Sequence, residues 1–185
     1  MHSAKTSDNK LPVRQPVEPA ALLVKIHDLF ANQWLLLTAG DFATGQFNTM
    51  TIAWGSIGTM WNKPFVQVVV RPQRHTRKFM DDFDTFTLCA FRPAHRSALQ
   101  LLGAKSGRDG NKIAAAGLTP VAAAVVAAPV FAEADLAIEC RKSYWQDMNP
   151  AGFVNAAIAA NYPGQDYHRI YFGEIAAIRA TSAYQ

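Results

Sequence analysis

The sequence predicts a mainly β protein: a closed, mainly antiparallel barrel of six or seven strands with helical decorations. Three observations predict it. Short runs rich in β-branched and aromatic residues recur along the chain and are separated by turn residues. These runs follow one another and do not alternate regularly with helical patterns, which argues against a parallel α/β sheet. The chain has 185 residues, half of them hydrophobic, enough for one domain with a substantial core and too apolar for general disorder.

Residues 1–19 are polar, carry three prolines and read as an N-terminal arm, leaving 20–185 as the domain. Leu22, Leu23, Ile26, Leu29 and Phe30 fall close to helical spacing, so 20–30 reads as a helix that docks on the core. The apolar run 34–38 reads as a strand, turned by Ala39-Gly40-Asp41 and Thr44-Gly45. Residues 48–57 read as one further strand. Phe65 to Val70 (FVQVVV) is a β-branched strand ended by Arg71-Pro72. Thr76 is placed to cap a helix reaching Phe83, and 85–91 (TFTLCAF) alternates as a strand. Pro93 suits the first turn of a helix reaching about Leu102. Residues 103–111 form a glycine-rich loop, and 112–116 a short helix closed by Gly117. Strands are expected at 119–126 and 130–144, an alanine-rich helix at 150–160, and a last strand at 168–179 (HRIYFGEIAAIR).

Composition narrows the function. Charged residues make up 17%, below the usual quarter, which hints at surface covered by a partner or ligand. Cys89 and Cys140 are far apart, lie in apolar stretches and form no CxxC pair, so both are expected as free thiols. The longest apolar run, 121–132, is broken by Pro129 and is too short to span a membrane. No apolar signal segment is readable, so the expected compartment is the cytoplasm. Residues 60–112 hold ten basic and four acidic side chains, a local +6 within a net charge of +4, leaving −2 elsewhere. Such a patch attracts phosphate, as nucleic acid or as a phosphorylated cofactor. There is no run of about five or six like charges and no nucleic-acid-binding motif, which disfavours the former.

Three segments carry candidate chemistry. At Arg71-Pro72-Gln73-Arg74-His75-Thr76 a strand hands over to a helix start loaded with cations. Helix N–H groups, the Thr76 hydroxyl, and Arg71 and Arg74 could take an anion, although an ordinary helix cap with surface arginines reads equally well. The loop Ala104-Lys105-Ser106-Gly107-Arg108-Asp109-Gly110-Asn111-Lys112 offers glycines for close backbone approach and several donors, without being a P-loop; a mobile surface loop is the other reading. Asn48-Thr49-Met50-Thr51-Ile52-Ala53-Trp54 crowds two hydroxyls, an amide and an indole on one strand. Its edge could pair with a planar heterocycle, or its apolar members could simply fill the core. The five histidines (His2, His27, His75, His95, His168) do not cluster with carboxylates at metal-ligand spacing, and no nucleophile motif is present. No metal site is expected and no catalytic residue is assigned.

In this order and spacing, NTMTIAWG (48–55), KPFVQVVVRPQRHT (63–76) and SGRDGNKIAAAGLTP (106–120), with HRIYFGEI (168–175) at the end, resemble the flavin reductase-like family of FMN-binding split barrels, flavoredoxin-type proteins included. The resemblance spans roughly 34–178. It implies a six-stranded antiparallel split β-barrel with peripheral helices that forms a homodimer, with FMN near the dimer interface. It implies that Thr49 to Trp54 line the flavin ring, that Arg71, Arg74 and Thr76, with Pro72 and His75 between them, hold the phosphate and ribityl chain, and that Ser106 to Lys112 (Ser106, Gly107, Arg108, Asp109, Lys112) close over the cofactor. His168 is implied near the ring. The implied activity is hydride transfer from NADH or NADPH to FMN, bound or exchanging. The alternatives are an FMN electron carrier served by a redox partner protein, and a non-flavin phosphate or nucleic-acid binder. Such chemistry belongs to the cofactor, which fits the absence of a catalytic dyad.

Overall fold

Leu35, Leu36 and Leu37 are all fully buried, because the strand that carries them is covered on both faces. Leu35 and Leu37 join the barrel interior with Val66, Val68, Leu88, Ile138 and Tyr171. Leu36 faces the other way, onto a second cluster with Cys89, Leu99, Leu102, Phe131 and Ala137. Period-two alternation thus builds two cores from one apolar run. The two cysteines fall into different clusters, both as buried free thiols. Burial pushes the Cys89 thiol up to about 12 and Cys140 higher still, so neither is a nucleophile at neutral pH.

The computed structural model of the chain describes residues 11–185. Its strands are β1 (Gln15–Pro16), β2 (Leu35–Asp41), β3 (Gln46–Ile52), β4 (Gly55–Met60), β5 (Lys63–Val70), β6 (Thr85–Ala90), β7 (Pro120–Val121), β8 (Val130–Phe131), β9 (Leu136–Asp147) and β10 (Arg169–Ala180). The α-helices are α1 (Ile26–Asp28), α2 (Thr76–Asp82), α3 (Arg96–Ala104) and α4 (Lys112–Ala115). The main ladder runs β3-β2-β6-β9-β10-β5-β4, with β1 added on β10 and β7-β8 as a separate pair. Every pairing is antiparallel. Register shifts on β9–β10, at Phe172/Gly173 and Ile175/Ala177, are bulges that bend these long strands around the core.

The mainly β, antiparallel split barrel is as expected, with differences in detail. The main sheet has eight strands instead of six or seven, and it does not close, since its path ends at β3 and β4. The strand expected over 48–57 is two strands, broken at Ala53-Trp54. β4 and β5 are joined by Trp61-Asn62, both at positive φ (53° and 57°), the hairpin turn whose twist matches that of its strands. The helix expected over 20–30 is a 3-10 turn at Pro19–Ala21, an extended link, α1 and a π-helical turn, Leu29–Gln33. The strand expected over 119–126 is only β7: alanine favours strands weakly, and Glu139 instead accepts from the Ala124 and Val125 N–H groups (2.9 and 2.8 Å). The strand expected over 130–144 divides into β8 and β9. The alanine-rich stretch forms two 3-10 turns, each started by an asparagine cap (Asn149, Asn155), in place of one α-helix. The first ten residues of the arm, with His2, lie outside the described residues. Residues 11–19 lie on the barrel: β1 extends β10, and Arg14 donates to the Phe131 and Ala134 carbonyls (2.6 Å each).

Candidate functional site

β3 and β4 follow each other in the chain yet form the two ends of the ladder, so Ala53-Trp54 bridges the seam of the barrel. A cavity of about 550 Å³ lies at this seam. Met50 to Trp54 form one wall, and Leu99, Gln100 and Gly103 of α3 form another. Val69, Arg71, Arg74, Ala104, His168 and Trp34 complete it. The volume falls in the range of small-molecule sites, and the lining is mostly apolar and aromatic with few polar groups.

His168 sits just before β10 and is 8% exposed. Its Nδ1 is 2.8 Å from the Tyr162 hydroxyl, and its ring lies 5.3 Å from that of Trp54. Burial, then the charge of Arg71, lowers its pKa to about 4, so the ring is neutral at pH 7. Arg71 is already engaged: it donates to Asp166 (2.6 Å) and to the Asn161 carbonyl (2.7 Å), and lies 5.2 Å from the Tyr162 ring centroid. Gln73 donates to the same Asp166 carboxylate (2.5 Å). The junction after β5 therefore holds the 161–168 segment in place.

A smaller cavity of about 180 Å³ adjoins the first, with Met50, Arg74 and Ala104 common to both. Arg74, Lys105, Arg108, Lys112 and His75 line it, and among the described residues no carboxylate does. Lys112 is 6% exposed, and its Nζ donates to the Leu102 and Lys105 carbonyls (3.1 and 3.0 Å), leaving one of three donors to spare. Burial, then Arg74, lowers its pKa to about 8. Burial also lowers Arg74, and it lowers His75 together with Arg108, Lys112 and Lys78. His75 Nδ1 is buried without a hydrogen-bond partner among the described residues. Crowded, partly desolvated cations with no counter-charge among the described residues, beside an orphaned polar atom, form a place where an anion is favoured.

Among the residues singled out from the sequence, Met50, Thr51, Ala53, Trp54, Arg71, Arg74 and His168 line the larger cavity. Asn48, Met50, Arg74, His75, Thr76, Ser106, Arg108 and Lys112 line the smaller one. Thr76 is the first residue of α2 and not its cap: its Oγ1 accepts from Asn48 Nδ2 (2.8 Å). Thr49, Pro72, Gly107 and Asp109 line neither cavity. The Thr49 hydroxyl is spent on the Leu37 carbonyl and on Thr38. Gly107 packs its backbone against Asn48 and His75. Sequence reading missed Trp34 and Gln100, which nothing local marks; Gln73 and Lys105, which line the smaller cavity, lie inside the two cationic segments already noticed but had no role assigned there.

The model of the Flavin reductase like domain matches residues 27–184. No curated protein sequence matches the chain. Among solved structures, the FMN-binding domain of a flavin reductases-like enzyme from Shewanella baltica OS155 is similar, with a TM-score of 0.68 at 19% identity, covering 94% of this chain and 80% of that one. Flavoredoxin of Desulfovibrio vulgaris (Miyazaki F) gives 0.62 at 20% identity, over 99% and 78%. An NADH:FAD oxidoreductase from Streptomyces globisporus gives 0.61 at 16% identity, over 83% and 78%. At these identities the likeness is one of fold.

Proposed function

This chain belongs to the Flavin reductase like domain family, and from that premise we propose that it is an FMN-binding oxidoreductase that takes hydride from NADH or NADPH. The observation that carries the reading is the pair of adjoining cavities: an apolar, aromatic one at the seam and a basic one beyond Met50, Arg74 and Ala104. That division matches a molecule with a flat ring at one end and a phosphate at the other.

Bound FMN would supply the redox centre that accepts the hydride. The chain's own residues bind, orient and exclude water. Arg74, Arg108, Lys112 and Ser106 would hold the phosphate, with His75 and Thr76 beside them. Met50 to Trp54 and Leu99 would enclose the ring and keep water from it. Arg71 belongs to the ring end in this reading, where it holds Asp166 and the segment leading to His168. The neutral His168 lines the cavity while Tyr162 engages its Nδ1.

Two buried free thiols suit a reducing compartment, in keeping with a cytoplasmic protein. Exposed Trp61, Tyr144 and Trp145 supply apolar surface of the kind a homodimer covers. The likeness to flavoredoxin keeps a second reading in view, an FMN electron carrier reduced only by a redox partner protein. The purified protein, titrated with FMN and then mixed with NADH or NADPH, tests both. A bound yellow flavin, catalytically bleached by either nucleotide, is the expected result. A bound flavin that neither nucleotide reduces favours the carrier, and failure to bind FMN overturns both.

A further inference from the structure

Trp34 breaks the rule that keeps bulky residues out of left-handed backbone space. Its φ is 66° and its ψ 158°, a region that only glycine enters without strain. It follows the π-helical turn Leu29–Gln33 and precedes β2. The surroundings over-determine this conformation. Arg96, at the start of α3, donates from one nitrogen to the Asn32 carbonyl (2.5 Å) and the Gln33 carbonyl (3.1 Å). Its guanidinium carbon lies 3.2 Å from the Trp34 ring centroid. Asp28 accepts from the side-chain amides of Asn32 (2.9 Å) and Gln33 (2.7 Å). The two residues before Trp34 are thus held by backbone and side chain together, and a stacked cation fixes the indole itself.

The stack stands between two cavities. The indole lines the cavity at the seam, whereas Arg96 lines a second cavity of about 500 Å³, with Leu99 common to both. Strain of this kind persists where a binding wall must be held in one place before the ligand arrives. An indole fixed on one face by a guanidinium can stack or pack edge-on against a flat heteroaromatic ring without first losing rotamer freedom.

We propose that Trp34 is a binding wall residue that contacts the ring bound in the larger cavity, and that Arg96 is the positioning residue that holds it there. This rests on the flavin reading of the two cavities. It adds a contact at the ring end that is independent of the phosphate end.

The probes are FMN and riboflavin, which share the ring and differ in the phosphate, titrated by flavin fluorescence against the full chain. Trp34→Ala is expected to weaken both by the same factor, about tenfold. Trp34→Gly, whose backbone suits the observed φ, supplies the same test should Trp34→Ala fail to fold. Arg96→Met is expected to weaken riboflavin about threefold to tenfold in the native background and not at all once Trp34 is replaced. A general loosening of the fold would act equally in both backgrounds, so this cycle separates positioning from stability. Unchanged riboflavin affinity in both Trp34 variants overturns the role of Trp34. An Arg96 effect that survives removal of the indole overturns the role of Arg96. A wild-type chain that binds neither flavin overturns the flavin reading itself, and is thereby distinguished from the other two outcomes.

Discussion

Gly107 lies so close to Asn48 that a Cβ built on it would stand 2.3 Å from Asn48 Oδ1 and 3.2 Å from His75 Cδ2. Gly110, in the same loop, has open space around it but a φ of 130°. One glycine is required by space and the other by backbone conformation.

Gly107→Ala therefore behaves unlike an ordinary loop substitution. Alanine would normally stabilise a loop by about 0.4–1 kcal/mol through the unfolded chain. Here the buried Asn48 side chain must move and give up its bond to Thr76, or the loop must lift. We expect a net loss of about 1–2 kcal/mol in a urea titration. We also expect FMN affinity to fall about tenfold as Ser106 and Arg108 leave the smaller cavity. An unchanged or raised midpoint with full FMN affinity would contradict the packing described.

Arg74 is common to the two cavities and donates to the Gly103 carbonyl (2.8 Å). If it also holds the phosphate, Arg74→Ala costs FMN roughly 1.5–3 kcal/mol of binding, the range of a charge-assisted hydrogen bond. Riboflavin, without the phosphate, loses much less. Isothermal titration of the two flavins measures the difference; equal losses would move the phosphate away from Arg74.

These residues also mark how far the sequence could be read. Strand β5 was legible because Val66, Val68, Val69 and Val70 are a local signal, and the fold class followed from such signals. The concentration of Arg74, His75, Thr76 and 106–112 was legible because its members are neighbours in the chain. The partners that decide each side chain's availability were not. Arg71 looks like a phosphate ligand until Asp166, 95 residues away, is seen to hold it. Thr49 looks like a ligand donor until Leu37 and Thr38 absorb its hydroxyl. Trp34 carries no local sign of its conformation, since propensity alone would forbid it.

Lys112 gives FMN binding a pH dependence with a definite sign. Burial and Arg74 lower its pKa from 10.5 to about 8, so the free protein loses this proton as pH rises through 8. A phosphate monoester is close to doubly charged throughout this range and would hold the proton to higher pH. FMN affinity should fall between about pH 7.5 and about 9.5, by up to about tenfold per unit, with riboflavin nearly flat. Folding moves the other way. The unfolded chain keeps the proton up to 10.5 while the folded one releases it near 8, so this residue costs stability below 8 and the cost fades as pH rises to 10.5. Lys112→Met should flatten both profiles, and an FMN profile that keeps its slope in that variant would remove Lys112 from the phosphate end.

His168 governs the acid side. Its ordinary pKa of 6.5 is lowered to about 4, first by burial and then by Arg71, although Asp166 pulls it back up. Between these values the unfolded chain takes up a proton that the folded chain refuses, so stability falls as pH drops from 6.5 to 4. Below 4 both states are protonated and this contribution levels off. His168→Gln removes the titration while keeping a polar group near Tyr162. Its urea midpoint should therefore decline less steeply than that of the wild type over this window, with the two curves running parallel between about pH 7 and about pH 8, where the histidine is neutral in both states. Parallel curves from 6.5 to 4 would mean that His168 accepts its proton in the folded chain as readily as in water. The Tyr162 contact and the enclosed ring end would then not be as described.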